Sequence, residues 1–480
     1  MGSTEIANSD RERVLCLIKE HGWNATSFQT LESHFQYWFD VPEACVAYVD
    51  TGSAWVAAGA PLGPTDALAA VARRFVEAGR RQGRRVCFFG TERRFVELSD
   101  FGALVMGSQP SWDPAAWPDT VQETSSLREQ LRRARAKGVA VRAVEASVFA
   151  HSGALRDEIE AVLSRWQAMH PLPPMRFLVA AEPFGRVGEK RFWVAEWQGR
   201  VVGFLAAVPI YQRSGWLLED LFRDPQAPNG TVELLVDAAM RCAHEEELQY
   251  VTLGMAPLSG PVGILLRIAR RFGNSLYDFD GLRRFKLKLR PTGWTPIFLS
   301  VPQGAGRALA VYDVMEAFAD GSIPRFLWRT LWTAPEFFVR LLALLLIPWT
   351  LALAVATPTD WFPTQIVRGG WIAFDVSLTL ALLWLSGRWR RWLAMVVAGC
   401  TTLDAGLTGW QVFAFNLPRV HTIGHALAVT ASVLAPTVAA AFLWRVVWSR
   451  YRRGARSERA GKSALVTEHS HSNGPPSLQR

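Results

Sequence analysis

A change in composition near residue 325 most restricts what this 480-residue chain can fold into. From Phe338 to Val447 the sequence contains no Lys and no Glu, and Trp, Leu, Ala and Val dominate. A helix needs roughly 20 apolar residues to cross a bilayer. Four stretches approach that length, at about 338–356, 370–387, 392–415 and 424–447, and the short second stretch carries Asp375. The sequence therefore predicts four transmembrane helices after a charged N-terminal part.

The arginines around these spans predict their orientation. One group precedes the first span and consists of Arg325, Arg329 and Arg340. A second group lies between the second and third spans and consists of Arg388, Arg390 and Arg391. A third group follows the fourth span and consists of Arg445, Arg450, Arg452, Arg453 and Arg456. The other two loops carry one arginine each, Arg368 and Arg419. Because cytoplasmic loops are enriched in Lys and Arg, we expect a multi-pass protein of the bacterial inner membrane with both termini in the cytoplasm. Residues 451–480 are polar and predict a disordered cytoplasmic tail.

Charge and motif content narrow the function classes. The chain has 52 Lys and Arg against 43 Asp and Glu, and this net charge of +9 favours anionic partners such as nucleic acid or anionic lipid. The five cysteines are scattered without a C-x-x-C pair, which argues against a disulfide framework or a zinc site. No G-x-x-x-x-G-K-[ST] loop is present, so no nucleotide triphosphatase is indicated. No G-x-S-x-G nucleophile elbow appears either. The charged first 20 residues do not resemble a cleavable signal peptide.

The residues before 325 predict a mixed α/β fold with two similarly ordered halves. In the first half, strands at 45–49 and 54–58 precede a helix at about 65–82 and a strand at 85–89. In the second half, strands at 192–197 and 201–208 flank a turn at Gln198-Gly199, strands follow at 216–221 and 250–253, helices at about 231–247 and 262–272, and a last strand at 285–289. We expect halves at 1–165 and 166–325 and a membrane domain at 326–450.

The segment from Asp220 to Thr231 is a candidate anion site. The run D-L-F-R, which ends at Arg223, is followed by the turn Asn229-Gly230 and by a helix that Thr231 is expected to cap. A turn at a helix N-terminus presents free N–H groups and a positive dipole end, which suit phosphate or carboxylate. Arg223 can bind the same anion through two N–H groups. The alternative is an ordinary strand–turn–helix connection with a surface ion pair.

Two later segments are candidates for lining a cleft. Gly254 and Ser259 belong to a run of small residues and Pro at the end of a strand, where clefts often form in α/β folds. A tight turn is the alternative. The run F-D-G-L-R-R-F-K then brings several cationic residues, which are Arg283, Arg284 and Lys286, with Lys288 two positions on. Both lysines are expected on one face of a strand, as a cationic wall for phosphate or, alternatively, as a solvated face.

A basic helix and three membrane residues complete the candidates. Arg128, Arg132 and Arg135 form a stripe on a helix at about 126–137, suited to RNA phosphates or anionic headgroups. A solubilising face is the alternative. Ionisable groups inside a membrane are functional candidates by default. Asp404 lies in the third span, and His421 and His425 stand four apart at the start of the fourth. An Asp–His contact that holds two helices together is the alternative.

Taken in order, these segments resemble the C-terminal catalytic domain of the lysylphosphatidylglycerol synthases, also called multiple peptide resistance factors. The resemblance covers about 175–300 through D-L-F-R, A-P-N-G-T, L-G-M-A-P-L-S-G and F-D-G-L-R-R-F-K, and extends more weakly back to about 40. It implies tandem acetyltransferase-like folds with a cleft between them. It also implies transfer of an aminoacyl group from aminoacyl-tRNA to phosphatidylglycerol or a related lipid, and resistance to antimicrobial peptides. Full-length members place a flippase-type membrane domain before the catalytic domain, whereas here the four spans follow it.

The resemblance also assigns roles to residues. The D-L-x-R positions carry over to Asp220 and Arg223, the basic residue that closes G-L-x-x-F-K to Lys286, and an acidic position after N-G-T to Glu233. Asp220 is expected to orient or deprotonate the lipid hydroxyl, and Arg223 and Lys286 to hold the lipid phosphate. An aminoacyl-tRNA ester is already activated, so neither a cofactor nor a metal is expected.

Two other functions remain open at this point. The soluble part fits a non-catalytic module that binds lipid headgroups or a protein partner through a degenerate acyltransferase fold. It also fits an acyltransferase with an acyl-CoA donor, although the turn before the 231–247 helix lacks a glycine-rich pyrophosphate pattern. The pattern does not indicate which amino acid is transferred.

Overall fold

The computed structural model describes residues 2–40, 43–170, 172–274, 277–355 and 361–471. They form two compact units, Met1–Arg329 and Thr330–Arg480. The first unit is built on one mixed β-sheet, and the second consists of long apolar helices.

The sheet of the first unit has thirteen strands within the described residues. They are β1 (Gln36–Phe39), β2 (Cys45–Asp50), β3 (Ala54–Ala58), β4 (Arg85–Thr91), β5 (Gly102–Trp112), β6 (Ala140–Val144), β7 (Arg191–Trp197), β8 (Arg200–Ile210), β9 (Gly215–Leu218), β10 (Phe222–Arg223), β11 (Tyr250–Thr252), β12 (Ala256–Pro257) and β13 (Gly293–Val301). Their order is β1-β2-β3-β4-β13-β5-β11-β9-β8-β7-β6, with β10 beside β8 and β12 beside β5.

Helices cover the sheet and continue into the second unit. They are α1 (Gly2–His21), α2 (Leu68–Arg81), α3 (Arg93–Leu98), α4 (Trp117–Glu123), α5 (Ser125–Ala136), α6 (Ala154–Met169), α7 (Thr231–Glu245), α8 (Ile264–Gly273), α9 (Phe279–Lys288), α10 (Arg307–Phe318), α11 (Ile323–Thr333), α12 (Pro335–Val355), α13 (Gln365–Gly387), α14 (Arg391–Gln411) and α15 (Ile423–His471).

The two halves of the sheet repeat one pattern and exchange their last strands. Strands β1 to β3 are antiparallel and β3 is parallel to β4, while β6 to β9 are antiparallel and β9 is parallel to β11. A long strand later in each half crosses to the other half, since β5 pairs with β11 and β13 pairs with β4. Strands β5 and β13 also pair with each other along the whole of β13. This confirms the predicted tandem acetyltransferase-like class.

Local sequence explains most elements of this unit. Gln198 and Gly199 have φ of +53° and +71°, as a two-residue hairpin turn between β7 and β8 requires. In α7 the side chains of Leu235, Val236 and Ala239 are fully or almost fully buried, at the helical spacing that the sequence predicts. The predicted strand at 285–289 is wrong, because these residues belong to α9 and its C-terminal end. The apolar alternation there follows a helix whose N-cap is Asp278, which accepts the Gly281 N–H at 2.7 Å.

The second unit contains the predicted spans. Four stretches of the described residues are long and apolar enough to cross a membrane: Pro335–Val355, Gln365–Gly387, Arg391–Arg419 and Ile423–Ser449. A π-helical turn, Val412–Asn416, follows α14 directly. Helix α15 continues to His471, residues 472–480 lie outside the described part, and the disordered tail at 451–480 stays a prediction. Several strong helix formers (Ala, Arg, Glu, Lys) in 455–468 favour this continuation.

Candidate active site

Asp220 lies in a bulge between two short strands. Strand β9 ends at Leu218 and β10 begins at Phe222, and both pair with β8. Residues 219–221 face only residues 205–206 of β8, so the chain accommodates one extra residue here, and bulges of this kind re-aim side chains. The Glu219 N–H donates to the Ala206 carbonyl at 2.9 Å, and the Ala206 N–H donates to the Asp220 carbonyl at 3.3 Å. The Asp220 side chain is therefore held at a fixed position, where the residue is only 6% exposed.

Asp220 belongs to a group of four largely buried acids, Glu32, Glu182, Glu219 and Asp220, which we call the acidic cluster. Lys190 Nζ lies 3.7 Å from Glu219 Oε2 and 4.0 Å from Asp220 Oδ2, and it donates to the Glu182 carbonyl at 3.1 Å. Lys190 immediately precedes β7, and Glu32 precedes β1, so both halves of the sheet contribute. Two carboxylates and one backbone carbonyl of this cluster thus lie within 4.0 Å of one ammonium group.

Several polar atoms at this cluster have no hydrogen-bond donor among the described residues. They are Glu32 Oε2, Glu219 Oε1, Asp220 Oδ2 and His34 Nδ1. Burial, reinforced by the charge of Glu219, raises the pKa of Asp220 above its usual value. Burial and the charges of Glu219, Glu182 and Asp220 raise the pKa of Glu32 in the same way. Unpaired acceptors in a buried site are costly, so the cluster is arranged to receive a proton or a cation.

Three groups at this site are spaced to hold a cation. Glu32, His34 and Glu182 each offer one ligand atom, and these atoms lie within 4.8 Å of one another. His34 Nε2 is 3.1 Å from the Phe177 carbonyl, an acceptor that places the ring proton on Nε2 and leaves Nδ1 as an acceptor. Two carboxylates with an imidazole suit a divalent metal, and the carboxylates also suit an ammonium group. The sequence offers no signal for this set, because Glu182 lies about 150 residues along the chain from the neighbouring Glu32 and His34.

Arg223 stabilises the turn that leads into α7 through a hydrogen bond. Its Nη1 donates to the Ala227 carbonyl at 3.0 Å, and the residue is half-buried. The next residue, Asp224, accepts hydrogen bonds from Arg165 Nε at 2.6 Å and from the Gln226 N–H at 2.9 Å. The D-L-F-R element therefore places Asp220 in the acidic cluster and Arg223 beside the turn.

The N-terminus of α7 differs in detail from the prediction. Gly230, with φ of +99°, is the N-cap, and Thr231 is the first helical residue, so the predicted cap at Thr231 is wrong. The Thr231 hydroxyl donates to the Pro228 carbonyl at 2.7 Å, which leaves the helix N–H groups without a side-chain cap. Asn229 is exposed beside them, and Glu233 in the first turn accepts from Lys288 Nζ at 3.2 Å. The Thr231 N–H donates within the turn, to the Pro228 carbonyl at 3.3 Å. The N-terminus of α7 has no side-chain cap, and a helix end of this kind suits an anion.

Lys286 supports the cleft backbone. Its Nζ donates to the carbonyls of Leu253, Gly254 and Met255 at 2.8, 2.8 and 3.0 Å. Three carbonyls occupy all three donors of the ammonium, and α9 turns Lys288 to a different face, so the predicted cationic wall of a strand is wrong. Burial lowers the pKa of Lys286 to about 7, while the three carbonyl acceptors favour its charged form.

The other predicted cleft residues surround the same backbone segment. Gly254 has φ of +70°, and its N–H donates to the Thr252 hydroxyl at 3.1 Å. The buried Ser259 hydroxyl donates to the Ala256 carbonyl at 2.7 Å. Arg283 lies 5.9 Å from the ring centre of Trp294, and the exposed Arg284 donates to the Asp280 carbonyl at 3.3 Å. Gly254 and Ser259 thus have their hydrogen bonds within or beside the segment 253–260, whereas the two arginines contact residues outside it.

A profile of the family described as "Phosphatidylglycerol lysyltransferase, C-terminal" matches residues 16–300, which is more than half of the chain. The chain belongs to this family. The match includes both halves of the sheet up to most of β13, with every residue of the acidic cluster, and it ends before the membrane spans.

Individual relatives agree with this assignment. The phosphatidylglycerol lysyltransferase of Bacillus subtilis is 25% identical over 320 residues, which are 64% of this chain and 37% of that protein. The lysylphosphatidylglycerol biosynthesis bifunctional protein LysX of Nocardia farcinica is 25% identical over 303 residues, which are 59% of this chain and 26% of that protein. The chain thus spans only 26% to 37% of the length of these two relatives. The C-terminal domain of a putative lysylphosphatidylglycerol synthetase from Agrobacterium fabrum has the same fold, with a TM-score of 0.56, 24% identity and coverage of 66% of this chain and 99% of that domain.

The basic stripe that the sequence predicts lies on α5 of the family domain. Its apolar side is buried as expected, but the arginines have partners within the chain. Arg132 and Arg133 both bind Glu129, at 2.8 and 2.6 Å, and Arg135 Nη2 donates to Asp237 at 2.8 Å. Arg128 is exposed, and the three paired arginines are each more than half exposed at their side chains. The stripe therefore keeps a surplus of positive charge at the surface.

The predicted membrane residues are not brought into a single Asp–His pair. Asp404 accepts from the Thr408 hydroxyl of its own helix at 3.1 Å. His425 packs edge-on against Trp361, with ring centres 5.0 Å apart, and His421 is exposed. Asp375 of the second span was not among the predicted functional candidates, although it is more buried than Asp404, at 5% exposure.

Proposed function

We propose that this protein transfers an aminoacyl group from aminoacyl-tRNA to phosphatidylglycerol or a related lipid at the bacterial inner membrane. The observation that carries the proposal is the Asp220 carboxyl, which is buried, has no donor to Oδ2 among the described residues, and lies on the D-L-F-R element of a phosphatidylglycerol lysyltransferase family member. The similarity to a phosphatidylglycerol lysyltransferase and to a lysylphosphatidylglycerol biosynthesis protein supports the lipid acceptor and the lysyl group.

The reaction is an ester exchange at the aminoacyl carbonyl. A glycerol hydroxyl of the lipid forms a new C–O bond, the bond to the tRNA ribose oxygen breaks, and one proton passes from the first oxygen to the second. A carboxylate with a raised pKa can accept this proton and return it near neutral pH. Asp220 performs both steps, and N–H groups of the 229–231 turn, together with Arg223, stabilise the lipid phosphate or the oxyanion. Lys286 acts by holding the 253–255 carbonyls in place.

The acidic cluster supports a cationic aminoacyl group. Every aminoacyl ester carries an α-ammonium, and lysyl and ornithyl groups carry a second one. The cluster has four carboxyl groups against Lys190, and its unpaired oxygens on Glu32, Glu219 and Asp220 are acceptors for such N–H donors. An uncharged side chain would leave these acceptors unpaired at a cost. The proposed amino acid is therefore a cationic one.

The charged surfaces support the remaining partners. The exposed arginines of α5 are proposed to contact tRNA phosphates, which attract cations without sequence preference. The distribution of arginines around the four spans supports cytoplasmic termini, where aminoacyl-tRNA and the inner leaflet are both accessible.

Lipid analysis after expression in a host that lacks aminoacylated lipids tests this function. We expect a new amine-positive lipid with the mass of phosphatidylglycerol plus a basic amino acid, and its loss in Asp220→Asn. The matched control is Asp224→Asn, since Asp224 is also buried and four residues away but pairs with Arg165 outside the acidic cluster. An unchanged lipid profile, with the folded protein in the membrane, would refute the proposed transfer.

A further inference from the structure

The membrane unit contains an open cavity that the family match does not include. Its volume is about 340 Å³, within the range of small-molecule sites, and residues of α12, α13, α14 and α15 line it. Most of the wall is apolar and contains leucines of α12 and α13. Polar groups are concentrated at Asp375, Asp404, Gln411 and Asn416. The cavity thus joins a hydrocarbon-lined space to a small polar region.

Two carboxylates face this cavity without a basic partner. The lining residues that the structure describes include no Lys, Arg or His. Asp375 is 5% exposed, and its nearest donor is the Thr350 hydroxyl, 3.4 Å from Oδ2. That hydroxyl has one proton and lies 2.7 Å from the Leu346 carbonyl, so the shorter bond takes the proton. Asp375 therefore lacks a strong donor, and a carboxylate in a membrane needs a counter-charge.

A further acceptor and three tryptophans complete the site. Asn416 Oδ1 is buried without a donor among the described residues and ends the π-helical turn after α14, and turns of this type are frequent at functional sites. Trp349, Trp361 and Trp371 also line the cavity, and Trp371 is fixed by donating to Gln411 Oε1 at 2.8 Å. Tryptophan faces and carboxylates together recognise organic ammonium groups. A bare inorganic ion would fill only a small part of this volume.

We propose that this cavity binds the ammonium group of an amphiphilic amine, with Asp375 and Asp404 as the counter-charges and the apolar wall in contact with hydrocarbon. The amphiphile is an aminoacylated phospholipid, and this identification rests on the proposed function, because transfer would produce such a lipid. The membrane unit is then a binding site for the product as well as an anchor.

Binding of supplied lipids to the full chain tests the site. The chain carrying Asp220→Asn, reconstituted in phosphatidylcholine nanodiscs, removes turnover from the measurement. Native mass spectrometry then compares lysylphosphatidylglycerol with phosphatidylglycerol at equal concentrations. We expect preferential retention of the lysyl lipid, and about 10-fold or greater weakening by Asp375→Asn or Asp404→Asn, since one charged hydrogen bond is worth that much. The control is Ser377→Ala, because Ser377 lies two residues from Asp375 but is exposed and donates to its own helix.

The outcomes separate this inference from the transfer reaction. Equal retention of the two lipids by the unsubstituted cavity would overturn the inference without any substitution, so it does not depend on how the variants fold. Unchanged preference in both Asn variants would overturn it as well. Preferential binding by a chain that produces no aminoacylated lipid in cells would uphold the cavity and reject the transfer. Transfer in cells without preferential binding of the lysyl lipid would uphold the proposed reaction and overturn the inference about the cavity.

Discussion

The charge state of Asp220 depends on neighbours of opposite sign. Burial and Glu219 disfavour the ionised carboxylate and raise its pKa, whereas Lys190, 4.0 Å from Oδ2, favours the ionised form and lowers it. A base must be ionised to accept a proton, so transfer that uses Asp220 increases as the pH rises through this pKa. The pH at which transfer is lost on the acid side therefore reports on these two neighbours.

Substitution of either neighbour is expected to move the acid limb of the pH–rate profile in a defined direction. Glu219→Gln removes a negative charge, lowers the pKa of Asp220 and moves the limb to lower pH by roughly one unit. Lys190→Met removes a positive charge and moves it to higher pH. The measurement is kcat/KM for lipid aminoacylation by the full chain against pH. Glu196→Gln, on the surface and paired with Arg142, is the control that leaves the limb unchanged. Displacement of the acid limb in the same direction in both variants would contradict this assignment.

The sequence allowed Asp220 to be identified but not its surroundings. Asp220 lies in a short ordered motif, so it can be recognised from a resemblance. Glu32, His34 and Glu182 lie in loops, and only the pairing of distant strands brings them together. Charge clusters assembled from loops have no periodicity by which they can be predicted.

At the scale of elements, the turn before α7 is shaped by a close contact with α5. A Cβ on Gly230 would lie 2.8 Å from the Gln130 carbonyl oxygen and 2.9 Å from Ala134 Cβ, both on α5. Its φ of +99° also disfavours any side chain. Gly230 is thus required twice, for the backbone conformation and for the approach of the two helices, and this approach positions the N-terminus of α7.

Gly230→Ala is therefore expected to lower the free energy of unfolding by about 3 kcal/mol or more, from backbone strain and overpacking together. Gly199→Ala is the matched control, because Gly199 also has positive φ but no atom lies within 4 Å of its added Cβ. It should cost about 1–2 kcal/mol, from backbone strain alone. Denaturant unfolding of both variants measures the difference. Equal losses would show that the contact with α5 does not determine the identity of residue 230.

The length of the sequence pattern explains why the strand predicted at 285–289 is a helix. Residues 285–289 alternate cationic and apolar side chains, which fits a strand over five positions. Over the longer stretch from Asp278, an N-cap and ten helical residues satisfy the backbone instead. Short alternation cannot distinguish the two, whereas α7, with apolar residues at helical spacing over fifteen positions, was predicted within two residues of its observed end.

At the scale of the whole molecule, the fold of the first unit, Met1–Arg329, depends on the exchange of β5 and β13. The order of strands and helices predicted two similar halves, because each half carries its own turns and apolar patterns. The exchange itself has no local signal, since β13 pairs with β4 and β5 across some 200 residues of sequence. Each half consequently lacks a complete sheet on its own, and the acidic cluster between their loops exists only when both are present.

A cut between the halves is therefore expected to leave them together. Residues 151–153 are exposed, lie between β6 and α6, and can accept an inserted protease site. After cleavage of the full chain in detergent, the fragments 1–152 and 153–480 should elute as one species in size-exclusion chromatography and separate only in denaturant. Lipid aminoacylation should survive the cut, because β13 still closes the first half and β5 the second. Separation of the fragments in native buffer would mean that each half buries its own core, and that the paired β5 and β13 add little to the stability of the unit.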